Sequence, residues 1–272
     1  MRIALGIEYD GAAFNGWQTQ PDGRSVQDAL EGALAALAGI QLATVCAGRT
    51  DAGVHAVDQV VHFDTAVERP LTAWVRGTNR FLPGTIAVRW ARAVDGDFHA
   101  RFGARARRYD YWILNDPVRS PLAARRATWI YRSLDDGAMQ AAAALLVGTH
   151  DFTSFRSAEC QAASPVRELR QLEVRRFGRY IRLQATANAF LHHMVRNLAG
   201  TLVAIGLGRR PPGWAAEVLA AKDRRLAAPT LAADGLYLAR VEYDERFGLP
   251  APAASSALLL DAHSDQDLWP DA

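Results

Sequence analysis

The chain has 272 residues, half of them hydrophobic, enough to bury the core of one large domain or two ordinary ones. A net charge of +2 excludes no class of partner. No apolar run approaches the ~20 residues that span a bilayer, and nothing resembling a leader precedes Ile3, so a soluble cytoplasmic chain without membrane partners is expected. Cys46 and Cys160 supply neither a disulfide framework nor a metal-ligand spacing.

In chain order, Ile3, Leu5, Ile7 and Tyr9 alternate with small or polar residues and predict a strand. Residues 11–24 are rich in Gly, Asn, Gln, Asp and Pro and read as a loop. Ser25 with Asp28 marks a helix start; Val26, Ala29, Leu30, Ala33, Leu34 and Leu37 follow at helical spacing, and Gly39 ends it. Strands are expected around 44–47 and 57–63, a helix over about 71–81, and a strand near 86–94. The second half repeats the order. A strand near 107–114 precedes a helix near 134–147 that begins after Ser133. Two strands, 168–176 and 180–187, flank Phe177-Gly178-Arg179, and a long helix covers 190–206. A short helical piece near 214–221 leads to a last strand over 236–243.

Each half therefore reads β-α-β-β-α-β. The expected fold is α+β: two ferredoxin-like subdomains, their antiparallel sheets side by side with a cleft between them. The expected division is 1–100, 101–247, and a flexible Pro-, Ala- and Ser-rich tail over 248–272.

All but one of the 31 basic residues are arginine, the exception being Lys222. Arginine suits phosphates and stacks on bases, but taken alone the bias is better explained by codon usage favouring Arg and Ala. Position tells more: Arg101, Arg105, Arg107 and Arg108 interleave with Phe102, and Arg119, Arg125, Arg126 and Arg132 follow. Such a cluster reads either as a surface tracking a phosphate backbone or as a solvated face.

Asp51 stands between two predicted strands in Ala47-Gly48-Arg49-Thr50-Asp51-Ala52-Gly53-Val54-His55-Ala56. By spacing alone this is a turn, with Thr50 as its cap. The unbroken Arg-Thr-Asp-x-Gly-Val-His-Ala run, however, resembles the signature of the tRNA pseudouridine synthase A family. Further blocks resemble the same family in the same order. They are Tyr9-Asp10-Gly11, Phe14, Gly16-Trp17-Gln18, then Ala106-Arg107-Arg108-Tyr109-Asp110-Tyr111, then Phe190-Leu191-His192-His193-Met194-Val195-Arg196, and last Ala228-Pro229 with Gly235-Leu236-Tyr237-Leu238.

The resemblance implies an isomerase that converts uridine to pseudouridine on the 3′ side of the tRNA anticodon stem-loop, at tRNA positions 38–40. It implies no cofactor, and a homodimer in which one tRNA touches both subunits. Asp51 would be the catalytic carboxylate, Arg196 its counter-ion and Tyr109 the platform for the uracil. Arg49, two residues before Asp51 and on the same side of an extended segment, reads either as the group filling the gap left by the flipped uridine or as a surface phosphate clamp. His55 and Leu191 would support the site. The chemistry fits a chain without a phosphate loop or Gly-x-Gly-x-x-Gly motif, because isomerisation needs no redox partner or energy source. A carboxylate in a closed pocket needs a nearby cation to stay ionised, and a guanidinium keeps its charge when buried. Two other readings stay open: an RNA-binding module without chemistry, and a metal-dependent hydrolase using Asp51, His55 and His62. No metal is expected, since His192 and His193, adjacent on a predicted helix, would point apart.

Overall fold

A computed structural model describes residues 1–250 of the chain; the expected tail lies almost wholly outside the described residues. The described residues form a mixed α/β structure, and no helix among them is long and apolar enough to cross a membrane. They divide into two compact units. The first is Met1–Arg108 together with residues 237–250, and the second is Tyr109–Leu236.

In the first unit, strand β1 (Arg2–Tyr9) lies antiparallel to β3 (His55–Asp64) on one side and to β4 (Ile86–Val94) on the other. β3 is buried along nearly its whole length, as a central strand should be. Trp90 of β4 crosses β1 at Gly6, where any Cβ would meet its indole. Strand β2 shrinks to Val45–Cys46, paired with Val61 and His62. The last strand, β10 (Leu236–Glu242), runs parallel to the start of β3, with Tyr237 opposite His55.

Helix α1 (Val26–Ala38) begins at the capping box read in the sequence: the Asp28 amide donates to Ser25 Oγ, and the Ser25 amide donates to Asp28. It ends at Gly39, whose φ of +76° suits a residue without Cβ. Helix α2 (Leu71–Phe81) packs against α1 where Gly77 leaves room for the Leu37 side chain. It buries Trp74 against Phe63 of β3, with ring centroids 5.2 Å apart.

The second unit carries β5 (Ala106–Asn115, entering from the first unit), β6 (Thr128–Ile130), β7 (Gly148–Asp151), β8 (Val166–Phe177) and β9 (Tyr180–Ala187). Their order is β5–β9–β8–β7, with β6 parallel to β5. β8 and β9 close a two-residue hairpin on Gly178, at φ +53°. Helices α3 (Asp136–Ala144), α4 (Met194–Gly206) and α5 (Trp214–Ala221) complete the unit.

Three expectations need correction. Helix α3 is capped by Asp135, whose side chain accepts from the Ala138 amide, rather than by Ser133, and it stops at Ala144. Helix α4 starts at Met194 rather than 190, because His193 takes a left-handed backbone at φ +62° that a helix cannot contain. His192 and His193 consequently sit before the helix, their ring centroids only 4.0 Å apart instead of diverging.

Candidate active site

The loop between β2 and β3 carries Arg49 and Asp51 and leads into His55, the first residue of β3, and the N-terminal block grips it from three sides. The Tyr9 hydroxyl shares a 2.8 Å hydrogen bond with Thr50 Oγ1 inside the core. Thr50 is thus tied to β1 instead of capping its own turn. The Trp17 amide donates to the Thr50 carbonyl at 3.0 Å, and the Gly53 amide donates to the Phe14 carbonyl at 3.3 Å. Gly16, at φ +91°, lies so close that a Cβ there would come within 2.7 Å of the Thr50 carbonyl oxygen. Asp51 is half-buried at the centre of this clamp, and its own carbonyl accepts from the Val54 amide to close the turn. Arg49 is exposed.

The two ends of the loop are fixed as firmly. His55 is buried, its ring stacked on Tyr237 at 4.5 Å. The Gly11 amide donates to its Nδ1 at 3.1 Å, and an Asp10 carboxylate oxygen lies equally near that nitrogen. Gly11 has no alternative, since a Cβ would overlap the Val54 carbonyl. At the other end, the buried Gln59 side chain brackets Gly48, donating to its carbonyl at 2.6 Å. Arg107 donates to the carbonyls of Ala47 and Arg101 from one guanidinium nitrogen, at 2.9 and 2.6 Å. Arg107 therefore braces backbone, and Arg105 pairs with Asp244, so part of the basic cluster read from the sequence is structural.

His62, further along β3, is engaged elsewhere. Its Nδ1 accepts from the Ala100 amide at 3.2 Å, and burial pushes its pKa down to about 4. With the Nδ1 of both His55 and His62 engaged by backbone amides, these two imidazoles do not form a metal-ligand set with Asp51.

The second unit holds Tyr109, Leu191 and Arg196. Tyr109 is buried and meets Phe190 edge-on at 5.0 Å, next to the buried Leu191. Tyr111 shares its face of the strand, but its hydroxyl is committed to Thr128 and to the Ala232 carbonyl, and burial pushes its pKa up. Arg196 is half-buried on the first turn of α4, and its Nε donates to the Leu231 carbonyl at 2.8 Å.

The segment bearing that carbonyl is lashed to α4. Fully buried Asn197 accepts from Thr230 Oγ1 at 2.6 Å and from Arg224 at 3.0 Å, while donating to the Phe155 carbonyl at 2.7 Å. Gly200 lets the Pro229 carbonyl approach to 2.2 Å from where a Cβ would stand. Sequence reasoning gave Tyr9, Gly16, Asn197 and Arg224 no part in the site and read Arg107 only as a member of the basic cluster. Tyr9, Gly16 and Arg107 lie in the quoted blocks, so the signal for them was present, whereas nothing local marks Arg224.

Comparison with known proteins places the chain in a family. The profile of the family described as tRNA pseudouridine synthase matches residues 6–103 and 142–244. Relatives named tRNA pseudouridine synthase A span the chain almost end to end. The Burkholderia cenocepacia protein is 58% identical over 267 residues, covering 98% of this chain and 99% of its own. The Burkholderia vietnamiensis protein is 57% identical over 270 residues, covering 99% and 100%. The clamped Asp51 loop thus lies inside a profile match that takes in most of the chain, and the chain belongs to the tRNA pseudouridine synthase A family.

Proposed function

We propose that the chain isomerises uridine to pseudouridine in tRNA, on the 3′ side of the anticodon stem-loop, with Asp51 as the catalytic carboxylate. The observation that carries this reading is the clamped loop: Tyr9, Gly16 and Trp17 fix the backbone on both sides of one half-buried carboxylate. A turn of merely structural purpose has no need for a carboxylate held this way. The reaction breaks the N1–C1′ bond, turns the uracil, and forms a C5–C1′ bond. The C5 proton is lost and N1 regains one, so atoms balance without an external reagent. Ionised Asp51 supplies the nucleophile, at C6 of the base or C1′ of the ribose. Arg196 acts as its counter-ion, oriented through Leu231. Tyr109 stacks on the uracil beside Phe190, and Arg49 fills the space the uridine leaves. His55 and Leu191 keep the loop and the platform in place. The chain works in the cytoplasm as a homodimer of two ferredoxin-like subdomains per subunit.

Tritium release from tRNA labelled at uracil C5 tests the reading. The wild type should release tritium, and Asp51→Asn should be inert while still binding tRNA. Release by the variant at the wild-type rate would remove Asp51 from the mechanism. Absence of release by the wild type, with tRNA binding retained, would favour the alternative of an RNA-binding module.

A further inference from the structure

Phe102 is a large apolar side chain left 77% exposed, yet the turn that presents it is rigidly built. The His99 ring nitrogen Nδ1 accepts from the amides of Arg101 and Phe102 at 3.2 and 3.1 Å, and the His99 carbonyl accepts from the Gly103 amide at 2.8 Å. A Cβ at Gly103 would press on that carbonyl at 2.9 Å, so the turn closes only on glycine. Three rings climb outward from the core: buried His62, then His99 at 4.9 Å, then Phe102 at 4.4 Å. The Arg101 guanidinium stands 5.5 Å from the Phe102 ring.

The turn is also coupled to the loop bearing Asp51. One guanidinium nitrogen of Arg107 bonds the Arg101 carbonyl and the Ala47 carbonyl together. The half-buried Cys46 thiol, whose pKa desolvation raises to about 11, feels both Arg49 and Arg101. Arg49, Arg101 and Phe102 therefore belong to one edge of the first unit. A fixed, exposed aromatic with arginines on the same edge is the arrangement that binds unpaired nucleotides, the ring taking a base and the cations its phosphates.

We infer that Phe102 is a stacking platform for an unstacked base of the RNA substrate, next to the nucleotide that reaches Asp51. This rests on the reading of the chain as a tRNA-modifying enzyme and adds a contact to it. Continuing the ring series with a base covers the exposed phenyl and places a backbone phosphate at Arg101, with Arg49 left to the space the uridine vacates. Neutral protein surfaces would gain nothing from those two cations, so RNA is the better-matched occupant.

Binding of an unmodified tRNA transcript, measured at fixed salt, tests the inference with Phe102→Ala, Phe102→Leu and Phe102→Trp. Affinity should weaken about tenfold in the Ala and Leu variants and hold in the Trp variant, because stacking needs a π face. Unfolding temperature should not change, since the ring is outside the core. An Ala variant that binds within about twofold of wild type would overturn the inference on the same stacking scale. So would a Leu variant as tight as Phe, which would show mere apolar contact. A changed molecular mass of the Ala variant in solution would also overturn it, by assigning Phe102 to a contact between copies of the chain. Tritium release by the wild type stands apart from these arms, so failure of the catalytic reading and failure of the Phe102 platform are told apart.

Discussion

The hydrogen bond between Tyr9 and Thr50 joins residues 41 apart in sequence, and the position of Asp51 depends on it. Gly16 is the most exacting member of the clamp, because it combines φ +91° with a 2.7 Å approach to the Thr50 carbonyl oxygen. Gly16→Ala should therefore cost about 1–3 kcal/mol and displace the loop, so tritium release should fall more than thermal stability does. A stable and fully active Gly16→Ala would show that the clamp does not position the carboxylate. Arg196 poses a related problem of aim. Its Nε is spent on the Leu231 carbonyl, which orients the rest of the fork, and lysine has one head group for both tasks. Arg196→Lys should lower kcat about a hundredfold, the usual penalty for a catalytic group misplaced by about an ångström. Single-turnover tritium release at saturating tRNA measures it, and a rate near wild type would make charge alone sufficient. The block around Asp51 stood out in the sequence because its motif is contiguous. The members of its clamp stood in a second block, but their contacts did not show, since a hydroxyl pair 41 residues apart such as Tyr9 and Thr50 leaves no local pattern.

Among the elements, α4 and the segment over 224–231 meet in a buried polar junction of the second unit. Asn197→Ala would strip the Phe155 carbonyl, Thr230 and Arg224 of a shared partner inside the protein. Burial of several unsatisfied groups should cost about 2–4 kcal/mol, seen as a lower denaturant midpoint. A loss below about 1 kcal/mol, the worth of one ordinary hydrogen bond, would mean that the segment finds other partners. Periodicity read α2, β4, β9 and α5 with their observed bounds, because each has apolar residues at one spacing throughout. It missed β6 and β7, whose three and four residues are too few to show a period. It also carried α4 too far back, since the apolar spacing of Phe190 and Leu191 continues across His193. The left-handed backbone at His193 is not something that apolar spacing records.

At the scale of the molecule, the first unit is completed by residues that arrive last: the Val241 amide donates to the buried Asp58 across 183 positions. Unfolding that unit must therefore release strand β10 as well, and a group buried on β3 reports on the integrity of the whole unit. His62 is such a group. Its pKa falls from 6.5 to about 4, chiefly by burial, with Arg2 and His99 adding repulsion and Asp64 opposing it. The unfolded chain therefore takes up its proton first. The stability that neutral His62 confers is present above pH 6.5 and is lost as pH falls from there towards 4. The most it can contribute is about 3 kcal/mol by linkage. The carboxylates held low act elsewhere. Asp64, bonded to Arg2, and Asp151, bonded to Thr153, lose their contribution only as pH falls below the ordinary carboxylate range. Urea midpoints should accordingly decline across the histidine window before any acid transition of these carboxylates. His62→Gln, which retains an acceptor for the Ala100 amide, should flatten that decline while leaving the lower transition in place. If the variant and the wild type trace the same curve between pH 6.5 and 4, the acid sensitivity of the unit lies in another group.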